Sequence, residues 1–154
     1  MSFTVARWPD PELPGELTPL LAEARDAGVE WMSSFTPEWM ERAFLDPGEG
    51  LFLARRGSRL LAMAVVSRDG LVGDPDTGRL RYIFVSAAAR REGIADALVR
   101  ACIATADTRW RRLTLHTDNP AAAALYLRHG FIATGEVPRI THQRFNLAPT
   151  KTAP

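Results

Sequence analysis

The chain has 154 residues, enough for one domain that buries about two-thirds of its unfolded surface without metals or disulfides. A hydrophobic content of 46%, a charged content of 24% and a net charge of +1 are ordinary for a globular protein and exclude the global basic field of a nucleic-acid binder. The single cysteine excludes an intramolecular disulfide. No apolar run approaches the roughly 18 residues a membrane span needs, and the start M-S-F-T-V-A-R-W does not read as a leader. A cytoplasmic protein with no metal, no nucleic-acid partner and no membrane partner is expected.

Phe3 to Trp8 alternates apolar and polar residues and reads as a first strand ended by Pro9. Leu17, Leu20, Leu21 and Ala24 then recur at helical spacing, with Gly28 as terminator. Thr36 and Pro37 have the chemistry of a helix start, so a second helix is expected from there to just before Pro47. Leu51 to Arg55 and Arg59 to Ser67 form a hairpin about Arg56-Gly57-Ser58. After a polar loop from Asp69 to Gly78, Leu80 to Val85 is nearly uninterrupted apolar sequence, as in a central strand covered on both faces.

From Gly93, the residues Ile94, Ala97, Leu98, Ala101, Cys102 and Thr105 form a helical stripe that places Cys102 in the core. Leu113 and Leu115 mark another strand, and Pro120 to His129 is an alanine-rich helix stopped by Gly130. Phe131 to Val137 and His142 to Leu147 are two closing strands, and R-W-R-R (Arg109 to Arg112) reads as a solvated turn. The order implies an α/β domain over residues 1–148 with a frayed tail at 149–154. Its mixed, partly antiparallel central sheet should hold about six to seven strands, flanked by about four helices.

Chemistry concentrates where the apolar strand meets the helix at Gly93. The turn R-R-E-G-I-A (Arg90 to Ala95) precedes a helix whose first amides have no internal partners, so the N–H groups from Arg91 to Asp96 can face one anion. Gly93 and Ala95 are small enough for close approach, and Arg90 and Arg91 add charge. An ordinary helix start flanked by solvated arginines is the plainer reading of the same residues. Dinucleotide and nucleoside-triphosphate sites do not fit, because neither G-x-G-x-x-G nor G-x-x-x-x-G-K-[ST] occurs.

Arg90, Gly93 and Ala95 fit the pattern Q/R-x-x-G-x-G/A, and Asn119, Leu125, Tyr126, Gly130 and Phe131 fit N-x-x-A-x-x-L-Y-x-x-x-G-F. In this order, one helix and one strand apart, the two segments make Leu80 to Phe131 resemble the GNAT family of N-acetyltransferases. The resemblance implies that family's fold with a splayed sheet and acetyl-coenzyme A as cosubstrate. It implies that Arg90, Arg91, Glu92, Gly93, Ile94, Ala95 and Asp96 cradle the pyrophosphate, and that the main chain of Phe84 and Val85 pairs with the pantetheine arm. Asn119 would hold the same arm, although capping the helix that begins at Pro120 is an equally good local role.

Tyr126 matches the tyrosine that commonly serves in the family as general acid to the departing thiolate, against the plain alternative of packing on Ala122 and Leu125. The general base is a departure: many relatives carry a carboxylate where this chain has Arg81, and arginine stays protonated at neutral pH. The substitutes are water with Glu30 or Glu38, His116 on the next strand, or an acceptor that arrives neutral. Arg81 instead suits a carboxylate on an amino-acid-like acceptor.

Trp31, Met32, Phe35, Trp39 and Met40 could line an acceptor pocket or simply cap the sheet, and the substrate-facing set is Trp31, Phe35, Arg81 and His116. The expected function is direct acetyl transfer from acetyl-coenzyme A to a primary amine of a small molecule or peptide, in a ternary complex. A non-catalytic acyl-coenzyme A sensor and an acyltransferase acting on a protein N-terminus are the alternatives. The resemblance also leaves a homodimer open.

Overall fold

A computed structural model describes residues 2–10, 12–33, 46–135 and 139–146. The strands are β1 (Thr4–Arg7), β2 (Gly50–Arg56), β3 (Arg59–Arg68), β4 (Thr77–Val85), β5 (Arg112–Leu115), β6 (Ile132–Ala133) and β7 (His142–Phe145). The α-helices among the described residues are α1 (Leu17–Asp26), α2 (Ile94–Asp107) and α3 (Pro120–Arg128), with short 3-10 turns at Glu30–Ser33 and Ala87–Ala89. The second expected helix, from Thr36, lies outside the described residues.

The strands form one seven-stranded sheet in the order β1-β2-β3-β4-β5-β7-β6. Only the β4–β5 pair is parallel, joined by α2 as a crossover; the other pairs are antiparallel. Helices cover both faces, so the middle strands carry apolar residues on both sides. Phe52, Ala54, Ala62, Ala64 and Val66 pack with α2 and α3 residues in one core, while Leu51, Leu53, Met63 and Val65 pack with Leu17, Leu20 and Ala24 of α1 in the other. Each fully buried Leu or Val contributes roughly 1.5–3 kcal/mol. Among the described residues no helix is long and apolar enough to cross a membrane.

Local signals set the helix ends. Gly28 has φ +73 and closes α1 in a Schellman turn, with its N–H on the Arg25 carbonyl at 3.0 Å and the Val29 N–H on Ala24 at 3.1 Å. Asn119 caps α3: its Oδ1 accepts from the Ala121 N–H at 2.9 Å, with Pro120 in the first turn.

Two expectations change. The α2 stripe is rotated: Ile94, Leu98, Val99, Cys102, Ile103 and Ala106 are buried, whereas Ala97, Ala101 and Thr105 sit at its margin. The larger side chains, rather than the alanines, take the position against the sheet. R-W-R-R is solvated only in part: Arg109 and Arg111 are exposed, but Trp110 is 1% exposed and its ring would lie 2.3 Å from a Cβ at Gly78. Of the first closing strand, expected from Phe131 to Val137, only Ile132 and Ala133 pair with β7 among the described residues, and Glu136 and Val137 lie outside them.

The strand read as uninterrupted is broken by a bulge that locates the site. Met63 pairs with Phe84 and Val65 with Arg81, so Ala64 alone faces both Tyr82 and Ile83. Tyr82 takes φ 58, a left-handed conformation worth about 1–3 kcal/mol of strain in a non-glycine residue. As a result Leu80 lies in the α2-side core and Tyr82 in the α1-side core, although two residues apart in a strand should share a face.

Candidate active site

The bulge coincides with the end of the parallel ladder. β4 and β5 pair only at Thr77–Arg112, Gly78–Leu113 and Arg79–Thr114. From Leu80 onward the β5-facing edge of β4 has no strand partner among the described residues, and the sheet opens there. Tyr126 lies in the α2-side core, and Arg81, Tyr82 and Trp31 lie on the α1 side, so this opening is where groups from the two faces can meet.

At the far end of β4, the cradle is built from local backbone. Arg91 has φ 66 and Gly93 φ 81, two left-handed residues that curl the chain into a concave turn before α2. The N–H groups of residues 91–96 have no hydrogen-bond acceptor among the described residues; the first amide used in α2 is that of Ala97, on the Gly93 carbonyl at 3.1 Å. A Cβ built on Gly93 meets nothing within 4 Å, so the concavity is open above the loop. Unsatisfied donors at a helix N-terminus, with the helix dipole behind them, form an anion site.

Side chains of this turn are mostly engaged elsewhere. Ile94 is buried in the core and Ala95 packs against it, so both offer only their amides. The Glu92 carboxylate pairs with Arg56 of β2, which removes a negative group from the mouth of the cradle. Asp96 takes Arg100 at 2.7 Å and His129 at 2.7 Å.

The Arg90 guanidinium does not extend over the cradle. It lies 5.8 Å from the Phe84 ring centroid, and its Nε donates to the Val85 carbonyl at 3.2 Å. The Arg90 guanidinium and the Val85 carbonyl therefore engage each other rather than the cradle or an open edge. Asn119 is similar: its Oδ1 is committed to the α3 cap, which is the plainer of its two expected roles.

Tyr126 is 8% exposed and makes an edge contact with Phe131, centroids 5.8 Å apart. Its hydroxyl makes no hydrogen bond among the described residues. Burial first, and then the neighbouring Cys102 thiol, push its pKa above the ordinary 10.0, so it stays protonated at neutral pH. Cys102 is fully buried and burial raises its pKa as well, which leaves it an inert thiol.

On the α1 face, Trp31 and Tyr82 have centroids 5.1 Å apart at 53°. Arg81 pairs with Val65 and shares its face, with its guanidinium 5.9 Å from the Tyr82 centroid. His116 follows the last residue of β5 and reaches Asp118 at 3.3 Å. Phe35, Glu38, Trp39 and Met40 lie outside the described residues, as does the side chain of Glu30. A separate cavity of about 300 Å³ among Glu16, Leu20, Glu23, Arg59 and Leu60 contains none of the cradle residues.

Several polar residues here were not singled out by sequence. Arg79 donates to the Arg139 carbonyl at 2.7 Å, and Asp69, Thr114 and Arg79 form a buried group beneath the opening. The signal available was an arginine at every second position of an apolar strand, Arg79 and Arg81.

The sequence signature of the Acetyltransferase (GNAT) family matches residues 15–131. The structure is similar to that of a candidate acetyltransferase from Exiguobacterium sp. 255-15, with 27% identity over 94% of both chains and a TM-score of 0.79. It also resembles an acetyltransferase of the GNAT family from Streptococcus pneumoniae, with 21% identity over 92% of this chain and 96% of that one and a TM-score of 0.70. N-acetylglutamate synthase from Neisseria gonorrhoeae, solved with coenzyme A and N-acetyl-glutamate, has a TM-score of 0.69 at 14% identity. That match covers 94% of this chain and 35% of the synthase. No match is found among curated proteins.

Proposed function

Because the chain belongs to the acetyltransferase (GNAT) family, we propose that it transfers the acetyl group of acetyl-coenzyme A directly to a primary amine of a small molecule or peptide. The carrying observation is the run of uncommitted amides at residues 91–96, shaped by left-handed Arg91 and Gly93. These residues fit a pyrophosphate: the donors are several and contiguous, and the carboxylate of Glu92 is turned away onto Arg56.

The bound thioester supplies an acyl carbon already activated toward amines. The chain's part is to hold and orient it. The α2 amides bind the charged end, and the edge of β4 past Arg79, which has no β5 partner among the described residues, offers main-chain groups to an amide-bearing arm, as an added strand would use them. For Val85 to take part through its carbonyl, Arg90 Nε must leave it, and the guanidinium is then released toward the cradle.

Tyr126 holds a proton on an uncommitted hydroxyl, as a general acid to a departing thiolate requires. The buried, protonated Cys102 speaks for direct transfer rather than an acyl-enzyme. Between Arg79 and Val85 there is no Asp or Glu, so the amine reaches the opening neutral or loses its proton through water or His116. Thiol release over an amine panel, beside calorimetry with coenzyme A, tests the reading: saturable binding with turnover of at least one amine supports it, and absence of coenzyme A binding ends it.

A second reading is a non-catalytic acyl-coenzyme A sensor, and the observation that favours it is Arg81 in place of a carboxylate. Coenzyme A binding without turnover of any amine is its signature.

A further inference from the structure

Arg56 reads in the sequence as the corner of a hairpin, the last residue of β2 before Gly57, which turns at φ 59. The register sets it directly opposite Arg59, a like-charge pair that weakens the hairpin rather than closing it. Successive strand residues point to opposite faces. Arg55 accordingly pairs with Glu16, just ahead of α1, and Arg56 pairs with Glu92, at the cradle. The Arg56 guanidinium is held from two directions, since Nη2 donates to Glu92 Oε1 and Nε donates to the Ser2 carbonyl at 3.3 Å.

Glu92 lies between left-handed Arg91 and Gly93, within the run of uncommitted amides. A free carboxylate there would oppose any anion that those amides bind. The Arg56 and Glu92 side chains are 29% and 24% exposed, so the ion pair by itself contributes little to folding stability. Neither the hairpin nor that pair accounts for an arginine at this corner; the negative charge it draws out of the cradle does.

We propose that Arg56 is a positioning residue of the cofactor site, which by holding Glu92 onto β2 keeps the cradle open to the phosphates of coenzyme A. The proposal rests on the acyl-transfer reading. Arg56 touches no reacting atom and acts through Glu92, 36 residues away in the chain. An added negative charge penalises a diphosphate through space, so the effect of losing Arg56 is electrostatic and weakens with salt.

Calorimetry with coenzyme A on wild type, Arg56→Gln, Glu92→Gln and the double variant forms a double-mutant cycle. Arg56→Gln should weaken binding about tenfold at low salt, and its gap to wild type should shrink as salt is raised. Glu92→Gln should tighten binding about twofold, because Arg56 then faces the anion without a partner. The double variant should return to within about threefold of wild type, although it has lost the ion pair as completely as either single variant. Arg56→Lys, which keeps the charge, should recover part of the affinity. In thiol release, Arg56→Gln should raise KM for acetyl-coenzyme A with little change in kcat.

A double variant as weak as Arg56→Gln, or a Glu92→Gln protein that binds less tightly than wild type, shows the pair to be a brace for the turn and overturns the proposal while leaving acyl transfer intact. Melting temperatures report whether each variant is folded, and Glu92→Gln carries that decision even if Arg56→Gln does not fold. A wild-type protein that binds no coenzyme A removes the acyl-transfer reading and this proposal together.

Discussion

His129 Nε2 lies 2.7 Å from Asp96 Oδ1, joining the first turn of α2 to the residue that ends the helix carrying Tyr126. Cradle and candidate acid are thereby tied by one hydrogen bond across 33 residues of chain. The His129 side chain is 12% exposed and that of Asp96 35%, so the contact is partly sheltered from water. His129→Ala should destabilise the protein by ~1–3 kcal/mol and lower kcat by more than it changes coenzyme A affinity. Thermal unfolding and steady-state kinetics check this, and an effect on stability alone would show the link to be purely structural.

Gly93 should be intolerant for a backbone reason. At φ 81 any Cβ is strained, although nothing crowds it. Gly93→Ala is expected to cost ~1–2 kcal/mol of stability and to weaken coenzyme A binding tenfold or more, because relaxing the strain re-aims the amides. Calorimetry on the folded variant measures the second effect separately.

Tyr126→Phe removes the proton but keeps the ring against Phe131. If Tyr126 is the acid, kcat should fall by roughly 10²–10⁴-fold with coenzyme A affinity unchanged. Burial raises the phenol pKa above 10.0, so the wild-type rate should show no loss from Tyr126 ionisation up to pH 10. The linkage has the same sign: the unfolded chain ionises first, and stability falls as pH rises beyond 10.0.

Glu23 links α1 to the end of β4, accepting from the Ala87 N–H at 2.8 Å and the Ser86 hydroxyl at 2.8 Å. The Ala87 hydrogen bond is the main cause of a pKa below 4.5, opposed by burial and helped by Ser86, Arg90 and Arg59. A depressed carboxylate contributes stability that is present above pH 4.5 and lost as pH falls through its folded value. Glu23→Gln should therefore narrow the gap to wild type in acid-unfolding curves below pH 4.5, the two being furthest apart at neutral pH.

The turn with free amides and the position of Tyr126 on α3 were legible in the sequence because each is written in contiguous residues. A strand, a turn with one glycine and a helix start already specify where unpaired amides fall, as Gly93 and the free amides of 91–96 show. The helix ends at Gly28 and Asn119 were readable for the same reason. The α2 stripe was misjudged by one position because alanine and threonine fit either side of an amphipathic boundary, and burial went to the larger Val99 and Ile103.

What the sequence by itself determined was the order of elements, the mixed sheet and the turn with unpaired amides before α2, all consequences of short-range periodicity and capping. Tertiary structure alone decided the rest. A bulge that turns Tyr82 beside Arg81 depends on the register between β3 and β4, and the bond from Arg79 to Arg139 spans 60 residues. Such contacts follow from which strands pair and where a parallel ladder ends. Those outcomes are set by packing both faces of the sheet at once, and no local pattern in the chain encodes them.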